Sequence, residues 1–400
     1  MRELDIAIAG CGPCGLASAL LLRRAGHRVT LYERFDTPRP IGSGLMLQPT
    51  GLAVLAELGL SDAVLAAGSR IDRLSGREGS RTVLDVRYSA LRGRDAFGIG
   101  IHRASLFSIL HDAVLAQDIA VHTDHIVTGS RPVGAGRSLC FAGREPSRAF
   151  DLVVDALGTR TPLAPPTGRD LAYGALWASL DWRPGGDFDP RALEQRYARA
   201  NIMVGVLPVG TPPGSQTAQA AFFWSLRGDR LAAWRAAGLR AWKDEVLALW
   251  PACASLLSQI DDPDQLTFAR YAHRTLRSPA EPALVHIGDA WHSASPQLGQ
   301  GANMALLDAW ALATGLAGVH DIDAGIARAV ALRRRHVRVY QWLTALLTPV
   351  YQSDSRVLPM IRNRLVGPLS KRWPATVIQA AMVSGLVANP LRVLGLDRRR

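Results

Sequence analysis

Gly10, Gly12 and Gly15 stand as Gly-x-Gly-x-x-Gly directly after the apolar run from Leu4 to Ala9. That spacing suits a phosphate cradle. The first glycine permits a tight turn, the second lets the backbone approach a pyrophosphate, and the third lets helix and strand pack closely. A helix starting here offers free N–H groups and a positive dipole end to the phosphates. Glu33 follows 18 residues after Gly15, where a carboxylate can accept hydrogen bonds from a ribose hydroxyl pair. Two cysteines interleave with the glycines, giving Cys11-Gly12-Pro13-Cys14, the letters of a thiol–disulfide exchange motif. That chemistry needs a low-pKa thiolate and leaves Gly10 and Gly15 unexplained. The cysteines therefore read as small residues in a crowded turn.

Local elements must hold these groups in place. Leu4–Ala9 predicts a buried strand, Leu16–Ala25 a helix stopped by Gly26, and Arg28–Tyr32 a second strand ending at Glu33. Together they make a strand–helix–strand unit of nucleotide-binding length. Pro49–Leu58 and Arg103–Ala116 predict helices, and Phe150–Leu157 a strand. Between about 172 and 275 the segments turn aromatic and β-branched, which predicts an antiparallel sheet with helices on one side. A return strand, Ala283–Ile287, precedes Gly288-Asp289 and a helix from about Gly301.

The second chemistry-bearing stretch is 288–309, GDAWHSASPQLGQGANMALLDA. With the glycine fingerprint and Glu33, it resembles the group A flavoprotein monooxygenases of the para-hydroxybenzoate hydroxylase and ubiquinone-biosynthesis hydroxylase type. The matching residues are Gly288-Asp289, His292, Pro296, Gly299-Gln300-Gly301-Ala302-Asn303 and Asp308-Ala309. The resemblance covers roughly residues 1–330. It implies an α/β fold: a Rossmann-like FAD-binding domain from 1–170 and 277–325, an inserted antiparallel-sheet substrate domain at 171–276, and a basic C-terminal helical region at 326–400. It also implies an FAD cofactor held by Gly10, Gly12, Pro13, Cys14, Gly15, Glu33, Arg34, Gly44, Arg103, Gly288, Asp289, Pro296, Gly299, Gly301, Ala302 and Asn303. Asp289 suits the ribityl chain, Pro296 a rigid wall beside the isoalloxazine, and the helix near Ala302 points its positive end at the flavin N1–C2=O region. The implied reaction is hydroxylation or epoxidation of an aromatic or apolar small molecule with NAD(P)H and O2, through a flavin C4a-hydroperoxide.

One motif departs from the family. Asp155-Ala-Leu157-Gly158 replaces the usual Gly-Ala-Asp-Gly, so Leu157 stands where the family has an aspartate. This variant resembles geranylgeranyl reductases and flavin halogenases. It keeps open an FAD-dependent reductase or dehydrogenase, or a flavin-binding protein without turnover. The halogenase branch lacks its lysine here, since no lysine precedes Lys243.

Substrate contacts must come from the sheet. Trp177, Met203, Phe222, Trp224, Tyr271 and His273 are pocket candidates alongside Pro296, and strand alternation leaves their facing open. No metal is expected; His122, Asp124 and His125 read as a solvated loop or strand end. The net charge of +12 resides entirely in residues 328–400, where 14 basic residues face two acids. That region predicts helices packed on the body, or a surface for an anionic membrane or acidic carrier protein. No nucleic-acid module accompanies the charge. Four cysteines without disulfide or zinc spacing, and no apolar run of membrane-spanning length, predict a cytoplasmic protein, with a membrane-peripheral location left open.

Overall fold

The computed structural model describes residues 3–36, 43–92, 95–183, 185–366 and 372–397. Among them, Asp5–Ala9 lies at the centre of a six-stranded sheet. It pairs in parallel with Arg28–Tyr32 on one side and Leu152–Asp155 on the other. Leu284–His286 and Ala120–His122 extend the parallel array, and Ala280–Glu281 closes one edge antiparallel. The central strands are buried on both faces, which is why they read as continuous apolar runs rather than alternating ones. Helices Pro13–Arg24 and Gly301–Leu316 pack together over this sheet. The tightest point is the first turn. Gly10 has φ of +103°, and a Cβ on Gly15 would stand 1.9 Å from the Gly10 carbonyl oxygen.

The second layer is a seven-stranded sheet, in the order Thr267–Ala269, Tyr173–Asp181, Gln219–Arg227, Ile202–Gly210, Ala192–Ala198, Arg73–Glu78 and Arg81–Arg87. The last two strands fall within the segment expected to belong to the FAD domain, so the sheet is larger than a 171–276 insertion. Their polar sequences, RLSGRE and RTVLDVR, bury few side chains and carry a weak strand signal.

Alternation divides the sheet into two faces. Leu176, Val204, Phe222 and Trp224 pack outward against Trp242 and Val246 of helix Leu231–Leu249, which bends at Gly238. Trp177, Phe223, Leu207 and Val209 point to the opposite, inner face. Phe223 lies flat across Gly205, where a Cβ would come within 2.0 Å of its ring. Gly44, on strand Gly44–Leu47, packs against Val209 and Ala221 so closely that a Cβ would meet them at 2.5 and 2.7 Å. That glycine joins the two layers.

The C-terminal region is part of the body. Helix Ile322–Tyr351 packs along Gly301–Leu316 and runs past Pro349 to Tyr351. Helix Ala375–Val383 buries Ala380 and Val383 against Ile71, Val86 and Tyr88. Two of the arginines that made the region look solvated, Arg333 and Arg362, are among the largest fully buried side chains. No helix of the described residues is long and apolar enough to cross a membrane.

Candidate active site

The glycine turn leads into helix Pro13–Arg24, whose N-terminus has no side-chain cap. Pro13 at the first position removes one donor, and the next amides have no intrahelical acceptor by geometry. Around Gly12 the space is open: a Cβ there would meet nothing within 4 Å. Glu33 accepts from the Cys11 amide at 2.9 Å, and from the amides of Arg34 at 2.8 Å and Phe35 at 3.3 Å. The carboxylate is thus fixed at the rim of the turn. Arg34 is exposed, its guanidinium lying over the Phe35 ring.

The cysteines are placed for packing. Both are buried, and burial pushes the Cys11 thiol up to about 12 and the Cys14 thiol well above its ordinary value. Cys14 donates to the Ala305 carbonyl at 3.4 Å and packs beneath Gly288, where a Cβ would come within 3.0 Å of Sγ. A small residue is required there to seat the second motif on the first.

That second motif forms the other wall. Gly288, with φ of +58°, turns the chain after strand Leu284–His286. Asp289 is solvent-accessible yet closely surrounded by protein atoms. This crowding raises its carboxyl above the usual range, against the opposing fields of His292 and Arg103. Pro296 and Gly301 are exposed, and Gly299 is left-handed with φ of +60°. Helix Gly301–Leu316 begins without a side-chain cap, so its first amides also face outward. Two helices that pack together through Cys14 and Ala305 therefore both begin uncapped, each N-terminus able to take partial negative charge.

Asn303 departs from its expected role. Its amide nitrogen donates to the carbonyls of Met46 at 3.0 Å and Gly299 at 2.9 Å, and its oxygen accepts from the Gln48 amide at 2.7 Å. The side chain is consumed in clamping the helix start to strand Gly44–Leu47. Asp308 is a second structural hub. It accepts from the Gly288 amide at 2.9 Å, His292 Nε2 at 2.7 Å and Arg333 Nε at 2.7 Å. Although burial opposes ionisation, His292 and Arg333 hold its carboxyl at about 2. Arg333 Nη1 then donates to His336 Nδ1 at 2.8 Å, so His336 is neutral and donates Nε2–H to the Gly385 carbonyl at 3.0 Å. Removing one partner of so buried a charge costs about 3–5 kcal/mol. Sequence reading missed Arg333 and His336 because arginines on a helix read as solvated.

Asp155 is equally structural. It accepts from Leu157 N, Thr161 Oγ1 at 2.7 Å and His286 Nδ1 at 2.6 Å. The altered Asp155–Gly158 segment is thus a strand-end turn closed by its own aspartate.

The aromatic candidates separate. Phe222 and Trp224 lie on the outer face and do not face the cleft; Met203 is buried beside Tyr197 and Phe223. His273, on strand Ala272–Thr275, lies partly buried, and burial lowers its pKa. Trp177 and Tyr271 do meet: the indole N–H donates to the phenol oxygen at 2.9 Å. Burial lifts the Tyr271 hydroxyl to about 12, with Arg103 opposing. The exposed Arg103 acts on both Tyr271 and Asp289. Thr275, just beyond Tyr271, pairs directly with His292. Strand pairing and the common influence of Arg103 therefore bring the Trp177–Tyr271 pair close to the start of the Gly288–Asn303 motif. Beside Arg103, residues not foreseen form a polar chain: His102 Nε2 meets Ser179 Oγ at 3.0 Å, and Ser179 meets Ser43 Oγ at 2.9 Å.

His122 stacks on Tyr32 and His125 lies tilted against it, and Asp124 pairs with Arg144. Among the described residues no group of three or more His, Cys, Asp or Glu is placed to hold a metal.

A family model described as FAD binding domain matches residues 3–104 and 211–338, more than half of the chain. The chain belongs to that family, the flavoprotein monooxygenases of group A. This flavoenzyme is 27% identical over 361 residues to 3-amino-4-hydroxybenzoate 2-monooxygenase of Streptomyces cremeus, covering 81% of this chain and 80% of that protein. It is 27% identical over 404 residues to kynurenine 3-monooxygenase of Stenotrophomonas maltophilia strain K279a, covering 94% and 85%. The fold matches 2-methyl-3-hydroxypyridine-5-carboxylic acid oxygenase with a TM-score of 0.78 at 18% identity, covering 98% of both chains. It also matches Klebsiella pneumoniae HpxO complexed with FAD and uric acid, with a TM-score of 0.78 at 19% identity over 97% of this chain and 98% of that one. The flavoenzyme is an FAD-dependent monooxygenase. The open space at Gly12, the fixed Glu33, the solvent-accessible Asp289 and the two uncapped helix N-termini are chemically fit for a dinucleotide's phosphates and hydroxyls.

Proposed function

We propose that this monooxygenase hydroxylates a small aromatic molecule held between the inner face of the sheet and FAD. NAD(P)H supplies the electrons. The overall balance is substrate-H, O2, NAD(P)H and a proton going to substrate-OH, water and NAD(P)+. Bound FAD supplies the electron relay between NAD(P)H and O2. The chain's own residues bind and position. In this reading Glu33 takes the ribose diol, the amides after Gly12 take the pyrophosphate, and Arg103 stands on the phosphate-ribose side. Asp289 takes the ribityl hydroxyls. The amides from Gly301 would lie toward the flavin carbonyl end, where the helix dipole would favour negative charge.

One observation carries the substrate assignment. Tyr271 accepts from Trp177 and has no acceptor for its own proton among the described residues. At neutral pH the hydroxyl stays protonated, because its pKa lies near 12. It is a positioned donor for a phenolate, carbonyl or carboxylate oxygen, at the edge of the Trp177 indole and within the field of Arg103. The related proteins named as acting on 3-amino-4-hydroxybenzoate and kynurenine favour the same substrate class. Hydroxylation is preferred to epoxidation for that reason.

The test is NAD(P)H oxidation by the FAD-loaded protein across phenols, aromatic acids and aliphatic acids, with mass analysis of products. An aromatic compound should accelerate oxidation and gain one oxygen atom. Equal rates with every compound and no product would reject the reading.

A further inference from the structure

A second cavity lies away from the cleft, shares none of its residues and has a volume of about 400 Å³. Its walls come from the hairpin Arg73–Glu78 and Arg81–Arg87, the turn at Arg199, and the C-terminal segment from Arg356 to Arg364. Arg81, Arg199, Arg356 and Arg364 line it. All four are exposed, and among the described residues none has a carboxylate partner.

The acid in the wall is already neutralised. Glu78 accepts from the fully buried Arg362 at 2.5 Å, from Asn363 at 2.6 Å and from the Arg199 amide at 3.0 Å. Arg362 spends its other donors on the Val350 and Arg199 carbonyls and on Asn363, and packs against Tyr197 and Tyr351. This knot fixes the floor and ties sheet edge to C-terminal helix. It leaves four guanidinium groups around one concavity with no net counter-charge. Guanidinium forks match phosphate oxygens with paired, charge-assisted hydrogen bonds. On the short helix Val357–Ile361 of that segment, Val357, Met360 and Ile361 are 57%, 45% and 42% exposed, an apolar rim beside the charges.

We propose that this cavity is a binding site for a phosphate group, separate from the FAD site. The group is carried by a soluble phosphorylated compound or by an anionic lipid headgroup. The probes are sodium pyrophosphate, followed by titration calorimetry, and vesicles of phosphatidylglycerol in phosphatidylcholine, followed by co-sedimentation. FAD-loaded protein is used so that the glycine turn is occupied. The double variant Arg81→Gln, Arg364→Gln should weaken binding about tenfold or more. Arg240→Gln, which removes a charge from an exposed helix position elsewhere, should leave binding unchanged. Arginine-dependent binding of pyrophosphate alone assigns a soluble ligand. Arginine-dependent sedimentation with phosphatidylglycerol, absent with phosphatidylcholine alone, assigns a lipid. The proposal falls if neither probe binds, or if the double variant binds like the wild type. It also falls if Arg240→Gln weakens binding as much as the double variant.

Discussion

Trp177 donates its indole N–H to the hydroxyl of Tyr271 across 2.9 Å, joining the sheet's inner face to the residue before strand Ala272–Thr275, which pairs with His292–Ser293 of the flavin motif. The bond orients the phenol so that its proton points away from the indole. Tyr271→Phe keeps the ring and removes that donor. A hydrogen bond to a charged acceptor is worth about 1.5–3 kcal/mol, so kcat/KM for the aromatic substrate should fall about ten- to a hundredfold. FAD content should not change. Steady-state kinetics with a flavin absorbance ratio check both.

Asp289→Ala should release FAD, since the proposed contact of this solvent-accessible carboxylate with the ribityl hydroxyls is lost. Gly12→Val should do the same by filling the open space before the first helix. The flavin-to-protein absorbance ratio after gel filtration reads both. Circular dichroism separates lost cofactor from lost fold.

Acid should destabilise the protein through the Asp308 network. The folded Asp308 carboxyl titrates near 2, below its ordinary value of 3.8. Its contribution is fully present above pH 4 and is lost as pH falls toward 2. His336 is held well below 6.5, first by burial and then by Arg333. The unfolded histidine binds a proton that the folded one refuses, so stability falls as pH drops through 6.5. Thermal melts should show Tm declining from pH 7 into acid. His336→Gln should flatten the decline between pH 7 and 5, and Asp308→Asn the part below pH 4, each from a lower starting Tm.

The double variant Cys11→Ala, Cys14→Ala should keep flavin and turnover. Neither thiol ionises at working pH, and the lost Sγ packing under Gly288 costs on the order of 1 kcal/mol. Activity under oxidising and reducing conditions should match the wild type.

What the residues disclosed in advance was the part written in backbone chemistry. Gly10, Gly12 and Gly15 are demanded by a turn and a close approach, so their spacing is visible without the fold. Glu33 and Asp289 were legible as acids at strand ends. Phe222 and Trp224 were not separable from Trp177 and Tyr271, because a period of two names two faces without saying which is inward. Arg333 and Arg362 were hidden for a different reason. A charged side chain in a helix reads as solvated, and only the fold brings Asp308 and Glu78 within reach of it. Strands Arg73–Glu78 and Arg81–Arg87 escaped notice because an edge hairpin buries too little to need an apolar pattern.

The most direct measurement is turnover of an aromatic substrate by the FAD-loaded protein under 18O2, with the product's mass read by mass spectrometry. Monooxygenation of the bound ring predicts one 18O atom in each hydroxylated product and none when the label is in water. A product without 18O, with all O2 recovered as hydrogen peroxide, would contradict it.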